Sequence, residues 1–370
     1  MKGFASSMKK IIISIVVAVV IVVGFALLSR NRQRTITVPP TVTSTTQTTQ
    51  PTTATTLIST TKKKTTRATT KPAKKITIPQ EGFTKGVPGE YFQASSRPGT
   101  VTRIEYASAD YADSGESITR VAYVYTPYGY DENNTKQRYD IIYLMHGWRG
   151  EAGEYFEYEG AKNIYDNLIE KGDIPPIIIV SPSFYDDESD KEDYNGSVNE
   201  FRHFHKVFEN DLMPAVEGRF HSYAKSTSAK DLKASRDHRA FGGFSLGSVT
   251  TWLELCYNYD YIRYFLPMSG SCWYYGGYGD WQTEQNVDYI EQLVKDNNLN
   301  KRGYFIYHAV GTEDYVKEQS LLQAEEMLSR NDFFTSQHYV FYQKQDGVHN
   351  AVAVKEYLYN ALPVFFGEEK

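Results

Sequence analysis

The clearest chemical signal in this 370-residue sequence is a serine set between two glycines. Gly243–Gly247 reads GFSLG, after an apolar run and before a helical segment. Small residues on both sides allow a sharp turn from strand into helix, which exposes the serine Oγ at the end of the strand. We therefore predict Ser245 as a nucleophile and the N–H of Leu246 as a hydrogen-bond donor to an oxyanion.

A serine nucleophile needs a histidine base, and the histidine needs a carboxylate to orient it. On an elbow of this kind the acid and then the histidine follow the serine along the chain. His308 and His338 fall inside predicted strands, where a structural role is expected. His349 lies in a loop just before the last helix and is the predicted base.

The predicted acid is Asp314, because it lies in the loop after the strand YFIYHAV. Glu313, its neighbour, and Asp346, three residues before His349, are the alternatives. A solvated loop carboxylate is the competing interpretation for each of the three.

A second oxyanion donor is expected where the strand IIYLM ends, in the segment His146–Gly150 (HGWRG). We predict that the backbone amide of Trp148 supplies it. His146 precedes this loop and is interpreted as a hydrogen-bonded structural residue.

Short apolar runs alternate with helix-length segments from Phe83 onward. This pattern predicts one α/β domain with a mostly parallel sheet of about eight strands and helices on both faces. The predicted strands are Arg103–Tyr106, Ile118–Thr126, Asp140–Met145, Ile177–Ser181, Arg239–Phe244, Tyr264–Met268, Tyr304–His308 and Gln337–Tyr342. The predicted helices are Tyr155–Lys171, Asn199–Phe220, Ser248–Asn258, Thr283–Asn297, Lys317–Arg330 and Ala351–Phe366.

The N-terminal region differs in composition from the rest. Residues 1–34 contain the uncharged apolar run Ile11–Leu28, long enough at about 1.5 Å per residue to cross a bilayer core. We favour an uncleaved signal anchor over a cleaved signal peptide. Residues 35–80 are rich in Thr, Pro and Lys and are predicted to be a disordered tether. The domain at 81–370 is then expected outside the cell, with a loose attraction of Lys62–Lys75 to an anionic cell surface.

Charge divides the chain in the same way. Residues 1–80 hold 13 Lys and Arg residues and no acid, so 81–370 hold 27 basic and all 45 acidic residues, a net charge of −18. An acidic domain repels polyanions, which argues against nucleic-acid binding. The two cysteines, Cys256 and Cys272, form no disulfide framework or zinc motif, although a mutual disulfide stays open. No metal or cofactor is predicted.

Taken together, these segments resemble α/β-hydrolases, and more narrowly the feruloyl and acetylxylan esterases of carbohydrate esterase family 1, relatives of esterase D. The similarity includes GEYFQ (89–93), VYTPYGYD (124–131), IIYLMHG (141–147), SRDHRAFGGFSLGSVTTW (235–252), YFLPMSG (264–270), KRGYFIYHAVGTED (301–314) and YLYNALPVFF (357–366). By this resemblance Ser245, Asp314 and His349 take the places of nucleophile, acid and base.

The resemblance implies hydrolysis of carboxylic esters on plant cell-wall polysaccharide, with release of ferulate or a related hydroxycinnamate. Removal of acetyl groups, acyl transfer to a sugar, and a surface carbohydrate-binding protein without turnover are the alternatives. Aromatic residues in loops at the carboxyl edge of the sheet are predicted to bind the substrate. These are Trp273, Tyr274, Trp281, Phe184 and Tyr185. The segment after the strand at 264–268 reads SGSCWYYGGYGDW. It lacks the acidic residue that the resemblance leads us to expect near Ser271.

Overall fold

A computed structural model of the chain describes residues 80–186 and 191–367. Residues 1–79 lie outside the described residues, and with them the predicted anchor Ile11–Leu28 and the basic stretch Lys62–Lys75. Among the helices that are described, none has the length and hydropathy to cross a membrane.

Nine strands form one sheet in the order β1-β9-β8-β7-β6-β4-β5-β3-β2. Neighbouring strands run parallel except at the β5/β3 and β3/β2 pairs, so β3 is the strand of reversed direction. The strands are β1 (Glu81–Phe83), β2 (Thr100–Ala109), β3 (Ser117–Thr126), β4 (Asp140–Met145), β5 (Ile177–Pro182), β6 (Arg239–Phe244), β7 (Tyr264–Met268), β8 (Phe305–Gly311) and β9 (Tyr339–Lys344). The predicted mostly parallel sheet is confirmed.

Helices cover both faces of this sheet. They are α1 (Glu154–Glu157), α2 (Ala161–Glu170), α3 (Tyr194–Val207), α4 (Met213–Arg219), α5 (Ala229–Ala234), α6 (Leu246–Asn258), α7 (Thr283–Asp296), α8 (Leu299–Arg302), α9 (Lys317–Ser329) and α10 (Ala351–Phe366). Side chains of α1, α2 and α10 pack on one face, and those of α3, α4, α6, α7 and α9 on the other.

Strand β4 shows why its sequence after Asp140 is a continuous run of large hydrophobic residues. Ile141, Tyr143 and Met145 enter the core under α3 and α6, whereas Ile142 and Leu144 enter the core under α2 and α10. Successive side chains of a strand point to opposite faces, so a strand covered on both faces is apolar at every position.

A buried ion pair fixes the start of β6, the strand that ends at Ser245. The guanidinium of Arg239 donates to both carboxylate oxygens of Glu217, at 2.7 Å each. Its remaining N–H groups bind the carbonyl oxygens of Leu232 and Tyr261 and the hydroxyl of Ser235. Burial of this arginine is tolerated because every donor has an acceptor.

The structure differs from the predicted elements in three details. The sheet has nine strands because the three-residue β1 pairs with β9, and so short a segment carries no periodic signal. The predicted helix Tyr155–Lys171 is divided at Gly160, which has a left-handed φ of 75°. The predicted helix Asn199–Phe220 begins at Tyr194, capped by the carboxylate of Asp193, and contains a π-helical turn at Phe208–Leu212.

Candidate active site

Ser245 lies at a strained turn between β6 and α6. Its φ of 59° and ψ of −117° are unfavourable for a residue with a side chain. Glycines make the turn possible: a Cβ on Gly247 would lie 2.1 Å from the carbonyl oxygen of Met145, and one on Gly243 would lie 2.3 Å from the carbonyl oxygen of Gly247. The predicted elbow is therefore present, with no room for larger residues beside the serine.

Strained backbone recurs where the neighbouring strands end. Arg149 after β4, Ser269 after β7 and Asp346 after β9 also have positive φ values, of 63°, 59° and 54°. Such conformations cost about 1–3 kcal/mol each and concentrate at functional sites. Four of the six non-glycine residues with positive φ among the described residues thus follow the carboxyl ends of strands.

The imidazole of His349 is held by a buried carboxylate. Its Nδ1 donates to Asp314 Oδ1 at 2.9 Å and lies 3.0 Å from Oδ2. Asp314 is 1% exposed and also accepts a hydrogen bond from the N–H of Val316. Because the carboxylate fixes the proton on Nδ1, the Nε2 atom is left with the lone pair that a general base requires.

The histidine lies beside the elbow. Its ring is 4.3 Å from that of Phe244, the residue before Ser245, measured between centroids. Among the described residues, the Oγ of Ser245 has no hydrogen-bond partner, so the serine–histidine hydrogen bond stays a prediction. Catalytic hydrogen bonds are often long before substrate binds.

The alternative acids are placed differently from Asp314. Glu313 and Asp346 are both exposed, and their backbone amides join the two loops. The N–H of Glu313 binds the carbonyl oxygen of Gly347, and that of Asp346 binds the hydroxyl of Thr312, each at 2.9 Å. Among the described residues, neither of these carboxylates forms a hydrogen bond or an ion pair with His349.

The other two downstream histidines have structural surroundings, as predicted. His308 is fully buried between the Tyr339 hydroxyl and the Gly270 carbonyl, and burial lowers its pKa to about 3. His338 stacks on Tyr304 with 4.8 Å between centroids.

The loop after β4 approaches the serine directly. A Cβ on Gly147 would lie 3.1 Å from Cβ and 3.8 Å from Oγ of Ser245. Leu246 is the first residue of α6, so its N–H has no intrahelical carbonyl acceptor. No backbone hydrogen bond uses the N–H of Trp148 in the part of the chain that is described. The amide next to Ser245 and that of Trp148, one residue after Gly147, are therefore free to donate, and their joint role as an oxyanion hole stays a prediction.

His146 braces this loop and is fully buried. Its Nδ1 donates to the carbonyl oxygen of Gly147 at 2.7 Å, and its Nε2 accepts from the Ser183 hydroxyl at 2.8 Å. Burial lowers the pKa of His146 to about 4, so the ring is neutral at neutral pH. This agrees with the structural role predicted from sequence.

The five predicted substrate-binding aromatics have varied surroundings. Phe184 is fully buried against His146, and Tyr185 binds the amide of Arg149 through its hydroxyl. Trp273 is 2% exposed and donates to Gln319, whereas Tyr274 stacks on Tyr289 of α7. Trp281 is partly exposed, and its buried Nε1 lacks a partner among the described residues.

The exposed ring of Tyr315, beside His349, was not among the residues that the sequence analysis assigned to substrate binding. Tyr315 is 72% exposed, with its ring 4.4 Å from that of His349. Burial, and the nearby hydroxyls of Tyr278 and Tyr315, raise the pKa of Tyr194 to about 12. Tyr194 also lies edge-on to the exposed Trp148. The available signal for Tyr315 was its position next to Asp314.

One acidic cluster has ligand atoms within 4.8 Å of one another: Asp110, Asp186 and Glu200. Arg120 occupies this cluster, with its guanidinium 3.8 Å from Asp186 and 3.7 Å from Glu200. The arginine supplies the positive charge that a cation would bring.

Comparison with known proteins gives a consistent result. Residues 118–364 match the family model Esterase, described as "Putative esterase". Endo-1,4-beta-xylanase Y of Acetivibrio thermocellus is 32% identical over 287 residues, which cover 76% of this chain and 24% of that protein. An endo-1,4-beta-xylanase/feruloyl esterase of Xylanibacter ruminicola is 33% identical over 156 residues, 41% of this chain and 19% of its own. The chain thus spans about a quarter or less of these curated relatives.

Solved structures agree with the predicted α/β-hydrolase fold. A serine-to-alanine mutant of the feruloyl esterase module from Clostridium thermocellum, complexed with sinapinate, is 28% identical with a TM-score of 0.65. The alignment covers 80% of this chain and 97% of that one. A ferulic acid esterase from Anaeromyces mucronatus, 21% identical with a TM-score of 0.55 over 76% of this chain and 97% of its own, shares the fold.

Proposed function

Since the chain belongs to the Esterase family, we propose that it is a serine esterase that hydrolyses carboxylic esters on plant cell-wall polysaccharide and releases ferulate or a related hydroxycinnamate. In this proposal Ser245 is the nucleophile, His349 the base and Asp314 the acid. The amides of Leu246 and Trp148 form the oxyanion hole.

The observation that carries the proposal is the pairing of His349 with a buried carboxylate beside the elbow. A histidine held by both oxygens of Asp314 and packed on Phe244 is oriented for proton transfer, which a merely structural histidine does not need. The similar proteins include an endo-1,4-beta-xylanase/feruloyl esterase and a feruloyl esterase module, which supports the same class of reaction.

The reaction follows from these positions. Nε2 of His349 takes the proton of Ser245 as Oγ attacks the ester carbonyl, and the two amides bind the oxyanion. The imidazolium then protonates the leaving sugar oxygen, which leaves the acyl group on Ser245. Water attacks the acyl-enzyme with His349 again as base, and the carboxylic acid departs with the serine restored.

Preference for an aromatic acyl group is supported by three exposed rings, of which that of Tyr315 lies beside His349. Trp148, Tyr278 and Tyr315 are 42%, 62% and 72% exposed. Large exposed aromatic surfaces suit stacking on a planar phenolic acid or a sugar ring. An acetyl group would use little of this surface, which is why release of a hydroxycinnamate is favoured over deacetylation or acyl transfer.

The proposed location follows from the sequence alone. The run Ile11–Leu28 would anchor the chain and residues 35–80 would tether the esterase domain on the outer face of the membrane. Fractionation of cells that express the full chain tests this: recovery in the membrane pellet, with protease access to the domain in intact cells, is the expected result.

Turnover of methyl ferulate by the full chain tests the catalytic proposal. We expect Ser245→Ala to reduce kcat by about 10⁶-fold, as removal of a catalytic serine typically does. Ser329→Ala, at the exposed end of α9, is the matched control and should leave turnover unchanged. A fluorophosphonate probe should label the native chain and not the Ser245→Ala variant. Comparable turnover by both, or absence of labelling, would overturn the proposal and favour a carbohydrate-binding protein without turnover.

A further inference from the structure

A cavity lies between α3 and α6, and none of its lining residues belongs to the candidate active site. It has a volume of about 350 Å³, within the range of roughly 300–1,000 Å³ that ligand sites occupy. Its lining comes from one stretch of α3 and one of α6: Arg202, His203, His205, Lys206, Leu253 and Tyr257. No carboxylate is among these residues, although the domain as a whole carries a net charge of −18.

The two cations of this cavity have no acidic partner among the described residues. Lys206 is exposed and its ammonium makes no ion pair there. Arg202 donates to the carbonyl oxygen of Gly276 at 2.7 Å and forms no salt bridge with a described residue. By contrast, Arg239 and Arg330 have at least one carboxylate partner each. Unpaired cations that face one cavity are complementary to an anion.

A buried acid on α6 does not cancel this charge. Glu254 of α6 accepts from Asn258, whose side chain also donates to the carbonyl oxygen of His205. Burial raises the pKa of Glu254 to about 8, so it is mostly protonated at neutral pH. His205 is neutral there as well, because burial lowers its pKa to about 4. The lining residues with a permanent positive charge are therefore Arg202 and Lys206.

An aromatic surface adjoins the two cations. Tyr257 stacks on His205 with 3.9 Å between centroids and is still 44% exposed. Tyr274 lies beside it at 5.6 Å and stacks in turn on Tyr289. Sugar rings bind well to exposed tyrosines of this kind because they present a flat apolar face and a hydroxyl.

We propose that this cavity binds a carboxylated sugar unit, a uronic acid residue of the polysaccharide on which the chain acts. Arg202 and Lys206 would pair with the carboxylate, and the ring of Tyr257 would stack on the sugar. A guanidinium beside an ammonium suits a carboxylate, and the aromatic ring distinguishes a saccharide from a simple anion. The polysaccharide identity rests on the proposed function, whereas the recognition of an anionic sugar rests on the cavity itself.

The cavity is connected to the candidate active site through one loop. Gly276, whose carbonyl oxygen binds Arg202, lies in the segment after β7 that also carries Trp273 and Tyr278. A polysaccharide bound at the cavity would therefore lie next to the loop that follows β7, which carries residues of the predicted substrate-binding set.

Calorimetric titration of the full chain carrying Ser245→Ala tests the proposal without turnover. The ligands are a xylo-oligosaccharide with a glucuronic acid substituent, the matched neutral oligosaccharide and inorganic phosphate. We expect the acidic oligosaccharide to bind about tenfold more tightly than the neutral one, equivalent to about 1.4 kcal/mol. That difference should shrink as salt rises from about 50 mM to about 500 mM.

Variants locate the effect. Lys206→Glu should abolish the preference for the acidic ligand, and Tyr257→Ala should weaken both oligosaccharides. Lys230→Glu changes an exposed lysine of α5 outside the cavity and should leave the preference intact. Equal affinity for acidic and neutral ligands, phosphate binding as tight as the acidic sugar, or an unaltered preference in Lys206→Glu would each overturn the proposal.

The same measurements separate this proposal from the proposed function. Hydrolysis of methyl ferulate by the native chain tests the reaction by itself, because this ester carries no uronic acid for the cavity to bind. A chain without esterase activity that still prefers the acidic oligosaccharide would refute the reaction and support the binding site.

Discussion

Gly311 and Gly347 are so close that a Cβ on Gly311 would lie 2.1 Å from the carbonyl oxygen of Gly347. The first residue ends β8, three positions before Asp314, and the second lies two positions before His349. Hydrogen bonds from Thr312 to Lys344 and from Glu313 to Gly347 join the same two loops. The orientation of the acid toward the base therefore depends on a backbone contact that only glycine permits.

Gly311→Ala is expected to separate these loops. The added methyl group must displace backbone atoms, an overpacking that typically costs about 1–3 kcal/mol. Methyl ferulate turnover should fall by about tenfold or more, since small displacements of catalytic groups cost up to about 10²-fold. Gly86→Ala is the matched control, because a Cβ there meets nothing within 4 Å. Unaltered kcat in Gly311→Ala would show that the contact does not position the pair.

Asp314→Asn tests which carboxylate orients the histidine. The amide keeps the shape of the side chain but favours the wrong tautomer of His349, and kcat should fall by about 10⁴-fold. Glu313→Gln and Asp346→Asn, at exposed neighbouring positions, should retain activity in the same assay. Greater loss in either of them than in Asp314→Asn would reassign the acid.

Much of this site could be predicted from sequence because its signals are local. The glycines around Ser245, the loop position of His349 and the Asp314 loop after a buried strand each depend on a few adjacent residues. The resemblance to carbohydrate esterase family 1 then linked these segments. The break at Gly160 and the three-residue β1 went unnoticed because a single glycine or a short pairing carries little periodic signal.

Features that depend on packing between distant segments could not be predicted in this way. Burial of Phe184 and Trp273 and the pairing of Arg239 with Glu217 depend on which helices meet. The cavity between α3 and α6 is a similar case. The run RHFHK at 202–206 was visible in the sequence, but its unpaired charge is evident only once the surroundings of the helix are known.

Tyr315→Ala tests the proposed contact between exposed aromatic residues and the acyl group. Loss of a stacking partner worth about 0.5–1.5 kcal/mol should lower kcat/KM for methyl ferulate by about two- to tenfold. An aryl acetate should be hydrolysed as before. Tyr128→Ala is the control: Tyr128 is 59% exposed but follows β3, whose reversed direction places it at the opposite edge of the sheet. An equal loss on both esters would argue against a role in acyl-group preference.

Glu254→Gln should alter the pH dependence of stability. The carboxyl has a pKa of about 8 in the folded state against 4.5 for an exposed glutamate, so folding favours its protonated form. Its contribution is present in full below pH 4.5 and is lost as pH rises through about 8. Glutamine stays neutral, so the variant should gain stability relative to the native chain on going from about pH 5 to about pH 9, by a few kcal/mol.

Denaturant unfolding at these two pH values measures the Glu254 effect. Glu325→Gln, on the exposed side of α9, should show no such gain. A difference between variant and native chain that does not change with pH would mean that Glu254 is ionised in the folded state.

Strands β4, β6, β8 and β9 run parallel, and each is followed by one part of the candidate site. These parts are, in that order, the loop with Trp148, then Ser245, Asp314 and His349. The sheet holds these residues in position, whereas the proposed contacts with the acyl group lie in separate loops between strands and helices. Exchange of the segment after β7 between relatives would then change which acyl group is accepted. The residues proposed for proton transfer would stay the same. In the proposed function, new acyl-group specificities are thus accessible by exchange of this segment, with Ser245, Asp314 and His349 kept in place.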